Sequence, residues 1–428
     1  MTKDLDELRK KRLKYIDGVR ENNFEDGIKR LLTDLYPDNA HFIYELLQNS
    51  EDTHASFVRF ILSDSSVEFE HNGERLFSLR DVDSITSIGT STKRDDPTRI
   101  GKFGVGFKAV FAYTNAPEIH SGDFHFRIRD LVVPEIINVE RQLVSQRKTR
   151  FVFPFDSPKK PRSKAVDEIE RGLLALGDNT LLFLAYIRKI EYSLPNGSIG
   201  TLERISHEDR RIEIRAEKPN GDNTISNWMC FQKDVFIDDE EGKSKNCRIA
   251  IAYSLVKEVD KKGNSTWKIV PLDHGQVSIY FTADKETSNL RFHLHAPFAS
   301  TVARDSVRDS QANDQLRDQI AKLVVESLTD IRDQGLLTVD FLAVLPNSAD
   351  NLSAFYKPIR DKIIQAFNEE ALTPTRDEHS HAPAKKLLQA KASLKALLSA
   401  DDIKFLVKHD EEPPQWAVAR AQIGRAHV

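Results

Sequence analysis

Three glycines within six positions, in Gly101-Lys102-Phe103-Gly104-Val105-Gly106, constrain this chain more than any other stretch. Lacking Cβ atoms, they let backbone approach a ligand closely and turn consecutive N–H groups toward it. Phe107 and Lys108 follow, then the apolar run Ala109-Val110-Phe111-Ala112-Tyr113, which reads as the first turns of a helix. Glycines feeding a helix N-terminus form an anion site, because unpaired N–H groups and the helix dipole both favour phosphate.

Two familiar glycine motifs fail here. A Walker loop needs Lys-Ser/Thr directly after its last glycine, and Gly106 is followed by Phe107. Gly104-x-Gly106-x-x-Ala109 fits a dinucleotide fingerprint by letters, but that motif follows a buried strand, whereas residues 90–99 are polar.

An upstream segment, Tyr44-Glu45-Leu46-Leu47-Gln48-Asn49, supplies the complementary chemistry. Four residues apart on a helix, Glu45 and Asn49 share a face at roughly 6 Å. Phe42, Ile43, Leu46 and Leu47 give the apolar stripe, and Asp38 or Asn39 is expected to cap the start. A carboxylate beside a carboxamide suits two tasks: polarising water, and offering a neutral oxygen to a hard cation such as Mg²⁺.

Glu45-x-x-x-Asn49-x-x-Asp52 followed by Gly101-x-x-Gly104-x-Gly106 resembles the GHKL ATPase superfamily, which includes gyrase, the large heat-shock chaperone, histidine kinases and mismatch-repair ATPases. The wording of Tyr44 to Asp52, of Ser87-Ile88-Gly89-Thr90-Ser91-Thr92-Lys93, and of Phe292-His293-Leu294-His295-Ala296-Pro297-Phe298 is similar to its sacsin-like, heat-shock-chaperone-type branch. The resemblance implies an α/β fold, a two-layer α+β sandwich with helices on one face of a mixed, mostly antiparallel sheet. A β-rich second domain and a helical tail are expected after it. The implied activity is slow, Mg²⁺-dependent ATP hydrolysis coupled to a lid and to rearrangement between domains, in chaperone-like or defence work. A nucleotide-dependent dimer, partner subunits and protein clients are the implied partners. A non-hydrolysing nucleotide scaffold and a nucleic-acid-processing ATPase are the alternatives.

Within that resemblance, Glu45 is the expected catalytic base and Asn49 the Mg²⁺ ligand. Asp52 resembles the residue closing the helix against the nucleotide, with a solvated carboxylate as the alternative. The family pattern Asp-x-Gly-x-Gly, whose Asp accepts from the adenine amino group, is replaced by His71-Asn72-Gly73-Glu74-Arg75. Neutral His still offers one acceptor nitrogen, so adenine recognition depends on the tautomer. This segment reads as a tight turn in which Gly73 tolerates positive φ. Glu70 points to the opposite strand face. Thr149 resembles the threonine that supports adenine through water; a plain strand threonine is the alternative. Lys93 and Lys102 flank the expected lid and reach for phosphate, together with Gly101, Phe103, Gly104, Val105, Gly106 and Phe107. Lys108 is expected on a solvated face. Arg304 is expected to report γ-phosphate loss to the second domain, with ion pairing to Asp305 or Asp309 as the duller role and Arg308 as the fallback.

At 428 residues, the chain has room for two or three domains: 1–195 for nucleotide, 196–335 β-rich, and 336–422 helical. Residues 423–428 read as the translation of a sequencing-adapter oligonucleotide, so the native chain is expected to be truncated near Gln422. A net charge of −4 gives no basic field for nucleic acid, and aromatic interleaving among the basic residues between 147 and 164 is poor, so these read as solvated loops. Cys230 and Cys247 have no zinc spacing, and no apolar run spans a bilayer, so a cytoplasmic location is expected.

Helices are expected over 4–18, 24–36, 78–88, 164–178, 313–331, 351–368, 384–398 and 401–408. Strands are expected in a hairpin over 56–62 and 66–69, at 124–128 and 150–155, and repeatedly between 211 and 294. Residues 89–100 are the candidate lid, and 373–383 a linker.

Overall fold

The computed structural model describes residues 2–22, 40–87, 106–138, 148–238, 242–259, 263–283, 285–301, 306–347, 350–375, 380–388, 392–399, 401–402, 405 and 415–416. They form two compact units, Met1–Ile205 with Glu213–Ser226, and Ser206–Ile212 with Asn227–Val428.

The first unit is built on a mixed sheet. Its strands are β1 (Phe57–Leu62), β2 (Ser66–His71), β3 (Glu118–Ser121), β4 (Phe124–Arg129), β5 (Val133–Ile136), β6 (Thr149–Pro154), β7 (Lys189–Ser193), β8 (Ile199–Ser206) and β9 (Arg211–Glu217), in the order β5-β4-β3-β6-β2-β1-β7-β8-β9. The β1–β2 hairpin is expected from its alternation, and Ser63 fixes the turn by donating from its hydroxyl to Ser66 O at 3.0 Å. β7 joins β1 in parallel, whereas β2·β6, β3·β6, β3·β4, β4·β5 and β7·β8 are antiparallel.

Alternation buries one face of these strands. Val58, Phe60 and Leu62 on β1, Val67, Phe69 and His71 on β2, and Thr149, Phe151 and Phe153 on β6 all point inward. The helix Phe42–Glu51 covers this face; Phe42 packs edge-on against Phe153 and Tyr113, with centroids 5.8 and 5.3 Å apart. The helix Arg162–Leu174 comes so close that a Cβ on Gly172 would sit 2.9 Å from Ala40 and Ile43. The first helix runs Thr2–Glu21, as its leucine spacing predicts. Leu79–Ile85 forms the short helix expected near 78, started by a reciprocal Ser78–Asp81 capping box.

Three local expectations change. The glycine run leads into a 3-10 helix, Gly106–Ala112, rather than an α-helix. His41, not Asp38 or Asn39, precedes the Phe42 helix, and it makes no side-chain cap bond. Lys108 is buried: its Nζ donates to the carbonyls of Ile85, at 2.7 Å, and Leu131. A long aliphatic stem makes that possible, and burial pushes the ammonium pKa down to about 7.

The second unit has a long antiparallel pair, β10 (Thr224–Asp238) and β11 (Ser244–Val259), with β12 (Ser265–Val270) and β14 (His293–His295) on β11 and β13 (Val277–Ser278) parallel to β14. The helices Gln311–Asp333 and Lys357–Glu369 bury Leu316, Ile320, Val324, Ile359 and Ile363 in one core with Ile249, Ile251 and Tyr253. Strand 277–282 is shorter than its pattern suggests. The stretch expected as a linker carries a two-residue strand pair, Thr373–Pro374 with His381–Ala382. The expected helix 24–36 and lid 89–100 lie outside the described residues, as does most of 401–408.

Candidate nucleotide site

A cleft lies where the Phe42–Glu51 helix, the end of β2, the segment 75–81 and β6 meet. Leu46, Asn49, Thr53, His71, Phe77 and Phe151 contribute to its lining. It is narrow, with room for about one water molecule.

Local hydrogen bonds fix its floor. Asn72 turns its side-chain carbonyl back to accept from the N–H groups of Ser56 and Phe57, at 3.0 and 2.9 Å. Glu74 N–H donates to Thr53 O at 2.9 Å, so the turn after β2 is tied to the end of the helix. Gly73 is needed for space: a Cβ there would lie 2.0 Å from Thr53 Oγ1 and 2.9 Å from His71 Nδ1. Its φ is not among the positive ones, contrary to the expectation for this turn.

His71 is 5% exposed, and burial pushes its pKa down to about 4, so the ring is neutral at pH 7. Gly73 N–H donates to Nδ1 at 3.2 Å. Phe151 lies nearly parallel to the ring, its centroid 6.4 Å away. Thr149 is the direct cross-strand partner of His71, and its hydroxyl lies 2.6 Å from Ser121 Oγ.

Asn49 is 7% exposed and lines the cleft; among the described residues its Oδ1 has no hydrogen-bond partner. A buried carbonyl oxygen without a donor is costly unless something else satisfies it, and a neutral oxygen fits a hard divalent cation. Glu45 is buried one turn earlier on the same helix. Asp52 is the half-buried C-cap, and Thr53 rather than Asp52 faces the cleft.

The structure thus brings Asn49, His71 and Gly73 to one place, with Thr149 across the strand from His71 and Glu45 one turn away. Phe107 sits in the core against Phe151 and Phe153, at 6.0 and 6.1 Å. Gly106 opens the 3-10 helix. Lys93, Gly101, Lys102, Phe103, Gly104, Val105 and Arg304 lie outside the described residues. The Phe292–Phe298 motif lies in the core of the second unit, where Phe292, Leu294 and Ala296 are fully buried. Among the described residues no group of three or more His, Cys, Asp or Glu could hold a metal, and no helix is long and apolar enough to cross a membrane.

Sequence reading missed two polar anchors. Glu51 accepts from the backbone N–H groups of Ala185, Tyr186 and Ile187, and burial raises its pKa. Glu168 is buried and accepts from Tyr113 OH at 3.1 Å and from Lys160. A glutamate at a helix end or on a helix carries no local signal for either role.

The family model for the sacsin domain matches residues 69–156, which include His71, Gly73, the glycine run and Thr149. Protein NO VEIN of Arabidopsis thaliana is 26% identical over 329 residues, covering 71% of this chain and 12% of that protein. Sacsin of Homo sapiens is 34% identical over 104 residues, covering 21% of this chain and 2% of that protein. The chain therefore spans a small part of the length of the curated relatives it matches. Among solved structures, the B-subunit of the DNA gyrase from Myxococcus xanthus aligns with a TM-score of 0.40 at 11% identity, over 73% of this chain and 98% of that one. Residues 69–156 are thus similar to the sacsin domain, and the chain shares partial sequence similarity with the two larger proteins.

Proposed function

We propose that this chain is a magnesium-dependent nucleoside triphosphatase of the ATPase type, with its site in the cleft at Asn49 and His71. The observation that carries the reading is the buried Oδ1 of Asn49 on the cleft wall, which has no hydrogen-bond partner among the described residues. Asn49 Oδ1 holds Mg²⁺, which when bound neutralises triphosphate charge. Glu45, one turn earlier, orients a water and takes its proton. His71, Gly73 and Thr149 serve the base end, and the glycine run Gly101 to Gly106, with Lys93 and Lys102, serves the phosphates. Residues 1–195 form the nucleotide-binding part, followed by a β-rich part and a helical part. Chaperone-like or defence-associated work in the cytoplasm, with a nucleotide-dependent dimer or protein clients, is the setting that the sacsin-like character favours.

The test is phosphate release with and without Mg²⁺, wild type against Glu45→Ala. Release that needs Mg²⁺ and falls at least about a hundredfold in the variant, with nucleotide still bound, is the expected result. Equal release in both proteins rejects Glu45 as the base; binding without turnover in the wild type indicates a non-hydrolysing scaffold.

A further inference from the structure

Ala40 stands in a strained backbone conformation just before the helix that carries Glu45 and Asn49. Its φ is 67°, in the left-handed region, where a Cβ crowds the backbone and surrounding contacts must offset the cost. Its carbonyl accepts from the Ile43 N–H at 3.0 Å, in the first turn, while His41 contributes no side-chain cap. Its own N–H donates to the Tyr113 hydroxyl at 2.8 Å, and both residues are buried.

Tyr113 is itself firmly held. Its hydroxyl donates to Glu168 Oε2 at 3.1 Å, and Lys160 Nζ stands 4.0 Å from its ring centroid. Tyr113 directly follows the 3-10 helix that opens at Gly106, and its N–H donates back to Val110 O at 2.9 Å. One hydroxyl therefore joins the segment downstream of the glycine run to the start of the Phe42–Glu51 helix. The far end of that helix is fastened separately, by Glu51 to the N–H groups of Tyr186 and Ile187.

We infer that Tyr113 is a positioning residue for the hydrolysis proposed above: its hydroxyl sets the pose of Glu45 by holding the helix start at Ala40. The inference rests on the reading of Glu45 as the base, and Tyr113 acts through Ala40 rather than on the nucleotide. Glu45 lies in the first turn of the helix, whereas Asn49 lies next to the Glu51 anchor. Without the hydroxyl, the strained Ala40 relaxes and the first turn shifts while the last turn stays fastened. Glu45 then moves more than Asn49, so turnover falls and nucleotide affinity does not. A displacement of about 1 Å is enough to cost roughly a hundredfold in rate.

The experiment measures kcat for phosphate release from ATP with Mg²⁺, and the equilibrium Kd for ATP, in the 428-residue chain and in Tyr113→Phe. Phenylalanine keeps the ring against Phe42 and removes only the shared hydroxyl. The expected result is a kcat at least about tenfold lower, with Kd changed by less than about threefold. A smaller change in kcat overturns the inference and leaves the hydrolysis reading standing. A kcat and a Kd that worsen together, with an earlier urea midpoint, also overturn it, because the hydroxyl then serves the fold as a whole. A wild type that releases no phosphate overturns both. If Tyr113→Phe does not fold, Glu168→Gln, which keeps the shape and weakens the acceptor of that hydroxyl, is read by the same two measurements against the same limits.

Discussion

Glu51 Oε2 lies 2.9 Å from the backbone nitrogen of Ile187, joining the end of the Phe42–Glu51 helix to the chain just before β7. Ala185 and Tyr186 donate to the other carboxylate oxygen. Three adjacent N–H groups that no strand or helix satisfies are thus met by one side chain. Glu51→Ala strands the Ile187 N–H in a buried setting and the other two in a part-buried one, and should cost about 2–4 kcal/mol. Glu51→Gln, which keeps one acceptor, should cost roughly half as much. Urea unfolding of both variants checks the order.

Gly73→Ala should destabilise the first unit by about 1–3 kcal/mol, because Thr53, its hydroxyl bonded to Ser50, and the His71 ring would both have to move. The same shift displaces His71, so nucleotide affinity should fall together with the melting temperature. Thermal unfolding with and without nucleotide separates the two effects.

Asn49→Ala should abolish the Mg²⁺ dependence of nucleotide binding, whereas Asn49→Asp, which retains an oxygen and adds charge, should keep it. Titration of nucleotide in Mg²⁺ and in EDTA reads the difference. A wild type whose affinity ignores EDTA would falsify the assignment of Oδ1 to the cation.

Lys108→Met removes the donor shared by Ile85 O and Leu131 O while filling similar space. A loss of about 2–3 kcal/mol is expected from two carbonyls left without it. An unchanged urea midpoint would mean that those carbonyls find other donors.

Acid should destabilise the first unit through two histidines, the buried His71 and the half-buried His120. His71 and His120 both have pKa values pushed from 6.5 to about 4, His71 by burial and His120 by burial together with His125 and Arg150. Between those values the unfolded chain binds more protons than the folded one, so stability present above pH 6.5 is lost as pH falls toward 4. At pH 5 the loss should be about 2 kcal/mol for the buried His71 ring, and less for His120, which solvent partly screens. Denaturant midpoints at pH 7.0 and 5.0 measure it, and His120→Gln should remove its share.

Much of the first unit was legible because its strands alternate cleanly: the β1–β2 hairpin, β4 and β6 follow from period-two burial. The Glu45–Asn49 helix was legible from its stripe. Strands β3, β5 and β7 were less so, being short and assigned a sheet position only by pairing. Lys108 looked solvated because the sequence does not show two distant carbonyls converging on it. His71 and Gly73 were legible as a departure from a pattern, but which ring nitrogen accepts depends on the folded turn, where Gly73 N–H reaches back.

The parallel pairing of Phe57 with Lys189 has a consequence for synthesis. While the nascent chain leaves the ribosome, the β1–β2 hairpin has one flank bare until the residues around 189 emerge from the tunnel. An unprotected edge is a template for another copy, so stalled or shortened transcripts ending before β7 should clump rather than mature, and their rescue by holding factors should end once Ser193 is clear.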